Sequence, residues 1–234
     1  GFLGSVVELM KLDLPVPDYS TVSRRQGSLA VSLPSRKRVR HVVIDATGLK
    51  VYGAGEWHVQ KHRSGRRRAW RKLHLGVDEA TKEIVAAEVT ASNVHDSLML
   101  PTLLEQIPGR VCQVSGDGAY DTRACYEAIH RRGALAAIPP RRNAIPWERN
   151  TDASARMRNT NLRRVRMYGR YEWRESSGCT QQSLAENAFS RFKALFGGLL
   201  SARRPDNQYV EVMVKCAALN RMTGIGMPES VRIR

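Results

Sequence analysis

The sequence has no paired cysteines. Cys112, Cys125, Cys179 and Cys216 stand far apart, none of them in a C-x-x-C pair. Neither a zinc knuckle nor a disulfide framework is suggested, and reduced thiols are expected. There is no apolar run near the ~18 residues that cross a bilayer, and no basic-then-apolar leader. A cytoplasmic protein with no membrane partner is therefore expected. Internal repeats and low-complexity tracts are absent. Acidic residues are scarce: 22 Asp and Glu stand against 38 Lys and Arg, a formal net charge of +16. A surface that positive attracts polyanions, of which nucleic acid is the commonest.

What is present is enough chain, 234 residues, for one full core with room for a small module. The sequence opens on Gly1 inside a helix-like stretch, with no Met, and so is expected to lack its natural start. Residues Phe2 to Lys11 have the pattern of a short amphipathic helix. Pro15 and Pro17 break it, and Asp18 is placed to cap a second helix through Arg25. Residues 1–35 therefore read as a helical segment, either the end of a helix-turn-helix module or a plain helical hairpin. After a basic linker, His41 to Asp45, Arg71 to Asp78 and Glu83 to Thr90 have strand patterns. The second of these alternates as a half-buried strand, and Thr81-Lys82 makes the turn after it. A helix over Asp96 to Ile107, a strand over Val111 to Ser115, a helix over Thr122 to Arg132 and a strand over Leu135 to Ile138 follow. The stretch 141–180 is rich in Arg and Asn, with Trp147, Tyr168, Tyr171 and Trp173 among them. Helices return over Ser183 to Phe196 and Asp206 to Met222. This order predicts an α/β fold with a mixed sheet.

Asp45 and Asp117 each follow a predicted strand at its C-terminal end, where sites gather in open α/β sheets. Asp117 lies between Gly116 and Gly118, which leave it accessible. Glu186 lies near the start of a helix. Three carboxylates held together repel one another unless a cation intervenes. A pair of Mg²⁺ ions removes that repulsion and serves in-line displacement at phosphorus, and Mg²⁺ prefers hard oxygen donors. Each residue also has an ordinary alternative. Asp45 and Asp117 suit turns, and Ser183-x-x-Glu186 suits a capping box. Asp78, Asp96 and Asp121 are rival carboxylates. His58 and His62, four apart, would pair on a metal only in a helix, which the glycines around them disfavour.

Several stretches together resemble the DDE transposases of bacterial insertion sequences, in particular the insertion sequence 5 family of the 4/5 superfamily. They are Val42-Val-Ile-Asp45-Ala-Thr-Gly-Leu-Lys-Val-Tyr-Gly53, Trp70-Arg-Lys-Leu-His-Leu-Gly-Val-Asp78, and Gly116-Asp117-Gly-Ala-Tyr-Asp-Thr122. Ile138-Pro-Pro-Arg-Arg-Asn143, Leu184-Ala-Glu186-Asn-Ala-Phe-Ser-Arg-Phe-Lys-Ala-Leu-Phe-Gly197 and Ala218-Leu-Asn-Arg-Met222 follow in family order. The resemblance implies an RNase H-like domain over 36–234. In it, Asp45, Asp117 and Glu186 would be both the catalytic and the metal-holding residues for two Mg²⁺, with Mn²⁺ as a substitute. The family's third motif is Tyr-x2-Arg-x3-Glu-x6-Lys. Glu186 and Lys193 match it, whereas Cys179 stands at the Tyr position and Gln182 at the Arg position. On one helix, 182, 186 and 193 share a face. Lys193 is then a phosphate contact, and Gln182 a hydrogen-bond donor without charge.

The run Lys61-His-Arg63-Ser-Gly-Arg66-Arg67-Arg68 suits contact with a DNA backbone, or else a solvated loop. In 141–180, Trp147 and Trp173 suit either stacking on an unpaired base or covering the edge of a core. The expected function is transposition. The chain would bind double-stranded terminal inverted repeats and target DNA, free a 3′-OH by hydrolysis and direct it at the target. It would do so as a homodimer on DNA, at the bacterial nucleoid. Two alternatives remain open: a decayed copy that binds DNA without turnover, and another nuclease of RNase H-like fold.

Overall fold

The computed structural model describes residues 2–34, 38–51, 70–147 and 152–226. Two short helices come first, α1 (Phe2–Leu9) and α2 (Tyr19–Gln26). Asp18 caps α2 by accepting the Ser20 N–H at 2.8 Å, as the sequence leads one to expect. Neither helix buries a residue. Gln26 Nε2 bonds the Asn207 carbonyl at 3.0 Å, and Val31 and Leu33 lean on the main core.

The sheet is mixed. Its strands are β1 (Arg38–Val51), β2 (Trp70–Asp78), β3 (Ile84–Ala91), β4 (Arg110–Ser115) and β5 (Leu135–Ala137), ordered β3-β2-β1-β4-β5. β1 is antiparallel to β2, and β2 to β3, while β4 and β5 run parallel to β1. The chain must cross over to make each parallel pair. A 3₁₀ turn (Asp96–Met99) with α3 (Leu100–Glu105) makes the first crossing, and α4 (Arg123–Arg131) the second. After β5 come α5 (Ala153–Tyr168), α6 (Arg170–Ser177), a 3₁₀ turn (Cys179–Gln182), α7 (Ser183–Phe196), β6 (Leu199–Leu200) and α8 (Pro205–Ile225). The two-residue β6 pairs with the end of β1 and is too short to leave a pattern in the sequence.

Successive side chains of β1 point to opposite faces, and each face has its own core. Val42 and Ile44 join Leu100, Leu103, Val114, Tyr126 and Ile129 on the α3–α4 side. Val43 and Leu49 join Leu75, Phe189, Phe192 and Met213 on the α7–α8 side. A mixed sheet with helices on both faces is the expected α/β arrangement. One expectation changes: β2 is buried on both faces rather than one, because helices cover both. His74, on the side expected to be wet, is fully buried.

The stretch 141–180, left without an assigned element by the sequence pattern, contains α5 and α6. Its Arg-rich helices carry no clean apolar stripe, so periodicity misses them. Local signals hold them instead. Asp152 caps α5 by accepting the Ala155 N–H at 2.7 Å. Gly169 separates α5 from α6 and Gly178 ends α6, both at positive φ. Arg158, pointing inward from α5, makes a two-pronged pair with Asp121, Nε to Oδ1 at 3.0 Å and Nη2 to Oδ2 at 3.1 Å, both side chains buried. Asn161 Nδ2 donates to the Ala136 carbonyl at 2.7 Å. Polar anchoring here supplements a narrow apolar contact made by Ala155, Met157, Leu162 and Val165.

Breaking one half of a buried pair strands the other charge, which typically costs about 3–5 kcal/mol. Arg158→Ala is therefore expected to destabilise the fold by about that much, and Arg158→Ala with Asp121→Ala by distinctly less. Urea unfolding of both proteins checks this. Equal losses would mean that the pair does not anchor α5.

Candidate active site

The site is built where β1 and β4 run out side by side. Their parallel register sets Val43 opposite Ser115, and two residues further on brings Asp45 beside Asp117. Asp45 shares its strand face with Val43, the face that α7 and α8 cover. The turn after Asp117 is a 3₁₀ turn (Gly118–Tyr120), which Asp117 caps by accepting the Ala119 N–H at 2.8 Å.

Two hydrogen bonds moor the third element to β1. Gln182 Nε2 donates to the Ile44 carbonyl at 3.1 Å, and Lys193 Nζ donates to Thr47 Oγ1 at 2.7 Å. These contacts bracket Asp45 in the sequence. Ala185, Phe189 and Phe192 seat the inner side of α7 in the core. Glu186 lies between Gln182 and Lys193, four and seven residues from them, hence on the same side of the helix. The capping-box alternative for Glu186 is not formed. Gln182 is the N-cap, without a side-chain bond, and Ser183 is already helical.

The electrostatics reveal shared space. Burial pushes the Asp45 carboxyl up to about 6. The Ala46 N–H, 2.8 Å from Oδ1, pulls the other way. The negative charges of Asp117, Glu186 and Asp96 then raise it further. Asp117 and Glu186 thus both act on Asp45. They do not form a ready ligand cage, for among the described residues no group of three or more His, Cys, Asp or Glu is arranged to hold a metal ion. The donor chemistry nonetheless fits a hard divalent cation. The donors are carboxylate oxygens, and their mutual repulsion is what such a cation removes.

The rival carboxylates separate cleanly. Asp78 accepts from Ala80 N–H at 3.1 Å and Thr81 Oγ at 2.9 Å, closing the β2–β3 turn. Asp121 is taken by Arg158. Asp96 is paired with Lys72 at 2.9 Å, yet it lies within the field of Asp45. Nothing in the sequence marked Asp96 above its rivals, since it becomes a neighbour only through the Asp96–Met99 turn.

The structure does not gather the remaining expected residues into this site. Lys61, Arg63, Arg66, Arg67 and Arg68, with His58 and His62, lie outside the described residues. Trp173 is 1% exposed in a small core with Ala137 and Cys179, so it covers core and stacks on no base. Trp147 rests edge-on against Tyr126 at 5.6 Å. The guanidiniums of Arg123 and Arg158 each stand 4.6 Å from its ring centre, which occupies the ring in the same way. Sequence reasoning missed His41, which is buried on β1. Its Nδ1 lies 3.0 Å from Glu79 and its Nε2 lies against Ser115 Oγ. Burial holds this imidazole below its usual range against the pull of Glu79. No motif announces it.

An acid whose folded pKa is raised works against the folded state once it ionises. The stability penalty from Asp45 is absent below its ordinary value of 3.8 and complete above about 6. Asp45→Asn should therefore stabilise the fold near neutral pH by on the order of 1–2 kcal/mol after allowing for partial exposure, seen as a higher melting temperature. The advantage should vanish toward pH 4. Added Mg²⁺ should raise the melting temperature of the wild type and not that of the variant. Melting curves across pH, with and without Mg²⁺, check this, and a variant less stable than wild type at neutral pH would refute it.

A solved structure of the piggyBac transposase synaptic complex with hairpin DNA is 9% identical, with a TM-score of 0.31. The match covers 80% of this chain and 54% of that one, so this chain spans about half of its length. A family model described as a transposase DDE domain matches residues 37–221, and a second of the same description matches residues 1–54. The first match takes in β1, β4 and α7 with all three carboxylates, and the chain belongs to the DDE transposase domain family.

Proposed function

We propose that this transposase-family chain cuts DNA at transposon ends and joins the freed 3′-OH to target DNA, with Asp45, Asp117 and Glu186 as its catalytic residues. The observation that carries this is the Asp45 carboxyl, buried and raised by Asp117 and Glu186 together. A fold that keeps such repulsion without a cationic side chain on Asp45 is suited to receiving divalent cations. Two Mg²⁺, or Mn²⁺ in their place, would be held by the three carboxylates and would stabilise the attacking and leaving oxygens. Lys193 is exposed and sits beside Thr47, where its ammonium can meet a phosphate on entry. Gln182 fixes the start of α7 through the Ile44 carbonyl, which keeps Glu186 over β1.

The +16 charge supports binding of inverted-repeat and target DNA. Lys61, Arg63, Arg66, Arg67 and Arg68 are proposed to meet the phosphate backbone. Residues 1–35 are proposed as a helical module beside the catalytic domain, 36–234, with the basic segment 141–180 inside it. Cutting two ends together calls for two active sites, so a homodimer on DNA is proposed, of the insertion sequence 5 type and acting at the bacterial nucleoid. Among the described residues no helix is long and apolar enough to cross a membrane. A second reading, DNA binding without turnover, draws on Gln182 and Cys179 standing where the family has Arg and Tyr.

A cleavage and strand-transfer assay on end-containing DNA with Mg²⁺ separates the readings. Asp117→Asn is expected to lower cleavage at least a hundredfold, while binding stays level or tightens because a charge near phosphate is lost. Log affinity should fall linearly with log salt concentration. Binding indifferent to salt, or cleavage indifferent to Asp117→Asn, would defeat the proposal. Cleavage absent from the wild type with binding intact would establish the second reading.

Gln182→Arg offers a sharper check on the motif. A guanidinium can keep the bond to the Ile44 carbonyl and still present donors to phosphate. A charge-assisted bond contributes about 1.5–3 kcal/mol, so cleavage is expected to rise roughly tenfold or more. Equal rates in the two proteins would place residue 182 away from the scissile phosphate.

A further inference from the structure

Away from the acidic site, exposed positive charge gathers where α2 meets the start of α8. Arg24 and Arg25 stand in the last turn of α2, and Arg203 and Arg204 lead into α8. All four are exposed. Ser23, Arg24, Ser28, Arg204 and Asn207 line a cleft of about 480 Å³ between the two elements. Asp206 is the one carboxylate among the described lining residues. It stands 3.8 Å from Arg204, with both side chains more than three-quarters exposed, and a pair that exposed contributes little. One carboxylate does not offset four guanidiniums.

The two elements are fastened together, so the arginines stay close despite their repulsion. Gln26 Nε2 holds the Asn207 carbonyl. Gly27 lies so near that a Cβ there would stand 3.0 Å from Asn207 Oδ1, which makes room for a close approach. Arg204 is also the N-cap of α8, which has no side-chain cap bond. A cation is unfavourable at that end of a helix and an anion is favoured. The cleft is linked to the acidic site through β1. Asp45 and Val51 are six residues apart on that strand, ~20 Å, and Val51 pairs with Leu200. Arg203 follows Leu200 by three residues, which adds at most ~11 Å. The arginines therefore lie within about one turn of duplex DNA, ~34–36 Å, from Asp45.

We propose that this cleft holds the sugar–phosphate backbone of duplex DNA about one turn from the scissile phosphate, so that α2 is a phosphate clamp built into the catalytic body. Guanidiniums meet phosphate oxygens two at a time. A helix whose last turn is tied to α8 is not free to seat itself in a major groove, so the contact positions the duplex and carries no sequence information. This rests on the DNA-cutting function proposed above, but it concerns residues outside both the acidic motif and the basic run 61–68.

The test measures binding of the full chain, without metal, to end-containing and to unrelated duplex DNA between about 50 and 200 mM salt. Arg24→Gln with Arg204→Gln is compared with the wild type. Arg110→Gln with Arg131→Gln serves as control, removing the same charge from the start of β4 and the end of α4. Each phosphate contact contributes about 0.9 to the slope of log affinity against log salt. The cleft variant is therefore expected to have a slope shallower by about two, and to lose roughly tenfold less affinity than the wild type across that range. Its weaker binding at low salt should be equal for the two duplexes. It should melt at the wild-type temperature or higher, because exposed like charges have been removed. If the wild type binds and cuts DNA while the cleft variant keeps the wild-type slope, this inference alone fails. An equal fall in slope in the control overturns it, since any surface charge would then serve. Weakening confined to the end-containing duplex overturns it too, because α2 would then read bases. Unchanged DNA binding with weaker binding to phosphatidylglycerol vesicles would give the cleft to a lipid surface instead. A wild type that neither binds nor cuts DNA defeats it together with the proposed function.

Discussion

The rest of the architecture depends on repulsion held in place. Asp45 lies on the central strand, with Asp117 just past the end of the neighbouring strand and Glu186 on α7. Asp45 alone would be an ordinary buried acid, its carboxyl raised by desolvation. The additional push from Asp117, Glu186 and Asp96 is a product of the fold. Something must keep α7 from drifting away from that charge. The seating of Ala185, Phe189 and Phe192 in the core supplies most of the adhesion. The bonds from Gln182 to Ile44 and from Lys193 to Thr47 set its register. Apolar contact alone would let a helix slide by a turn, but hydrogen bonds on either side of Asp45 do not.

The contrast among carboxylates separates structure from chemistry. Asp78 and Asp121 are more deeply buried than Asp45, yet each is fully partnered, by a turn hydroxyl and N–H or by a guanidinium. Their bonds explain their presence. Asp45 has one backbone N–H and three like charges, and among the described residues no cationic side chain is bonded to it. Proteins seldom leave such an arrangement unless something outside the chain completes it. Asp96 is intermediate, tied to Lys72 on one side and acting on Asp45 on the other.

Much of this was legible in the sequence, for identifiable reasons. The central strands could be read because both of their faces are apolar, and Asp18, Thr122 and Gly133 mark helix ends by local chemistry that needs no partner. The family was legible through the residues around the carboxylates rather than through their spacing. What stayed hidden depended on distant contacts. α5 and α6 form without an apolar stripe, because Arg158 finds Asp121 and Asn161 finds the Ala136 carbonyl across the fold. The second buried face of β2 exists only because helices cover both sides of the sheet. Trp147 and Trp173 were ambiguous between core and surface for the same reason, and tertiary packing decided them.

Gln182 joins these threads. The four-residue separation between it and Glu186 suggested one continuous helix with both side chains facing a phosphate. In the structure Gln182 ends a 3₁₀ turn and sits at the N-cap, so its amide reaches inward to β1. A residue at this junction can hold α7 in place or meet substrate. An uncharged amide whose nitrogen is already engaged does the first far better than the second. A guanidinium has enough donors for both, which is a physical reason for arginine to suit the position. The substitution thus leaves the scaffold of the acidic site intact while removing positive charge from its rim. Its effect should fall on the handling of phosphate rather than on the arrangement of Asp45, Asp117 and Glu186.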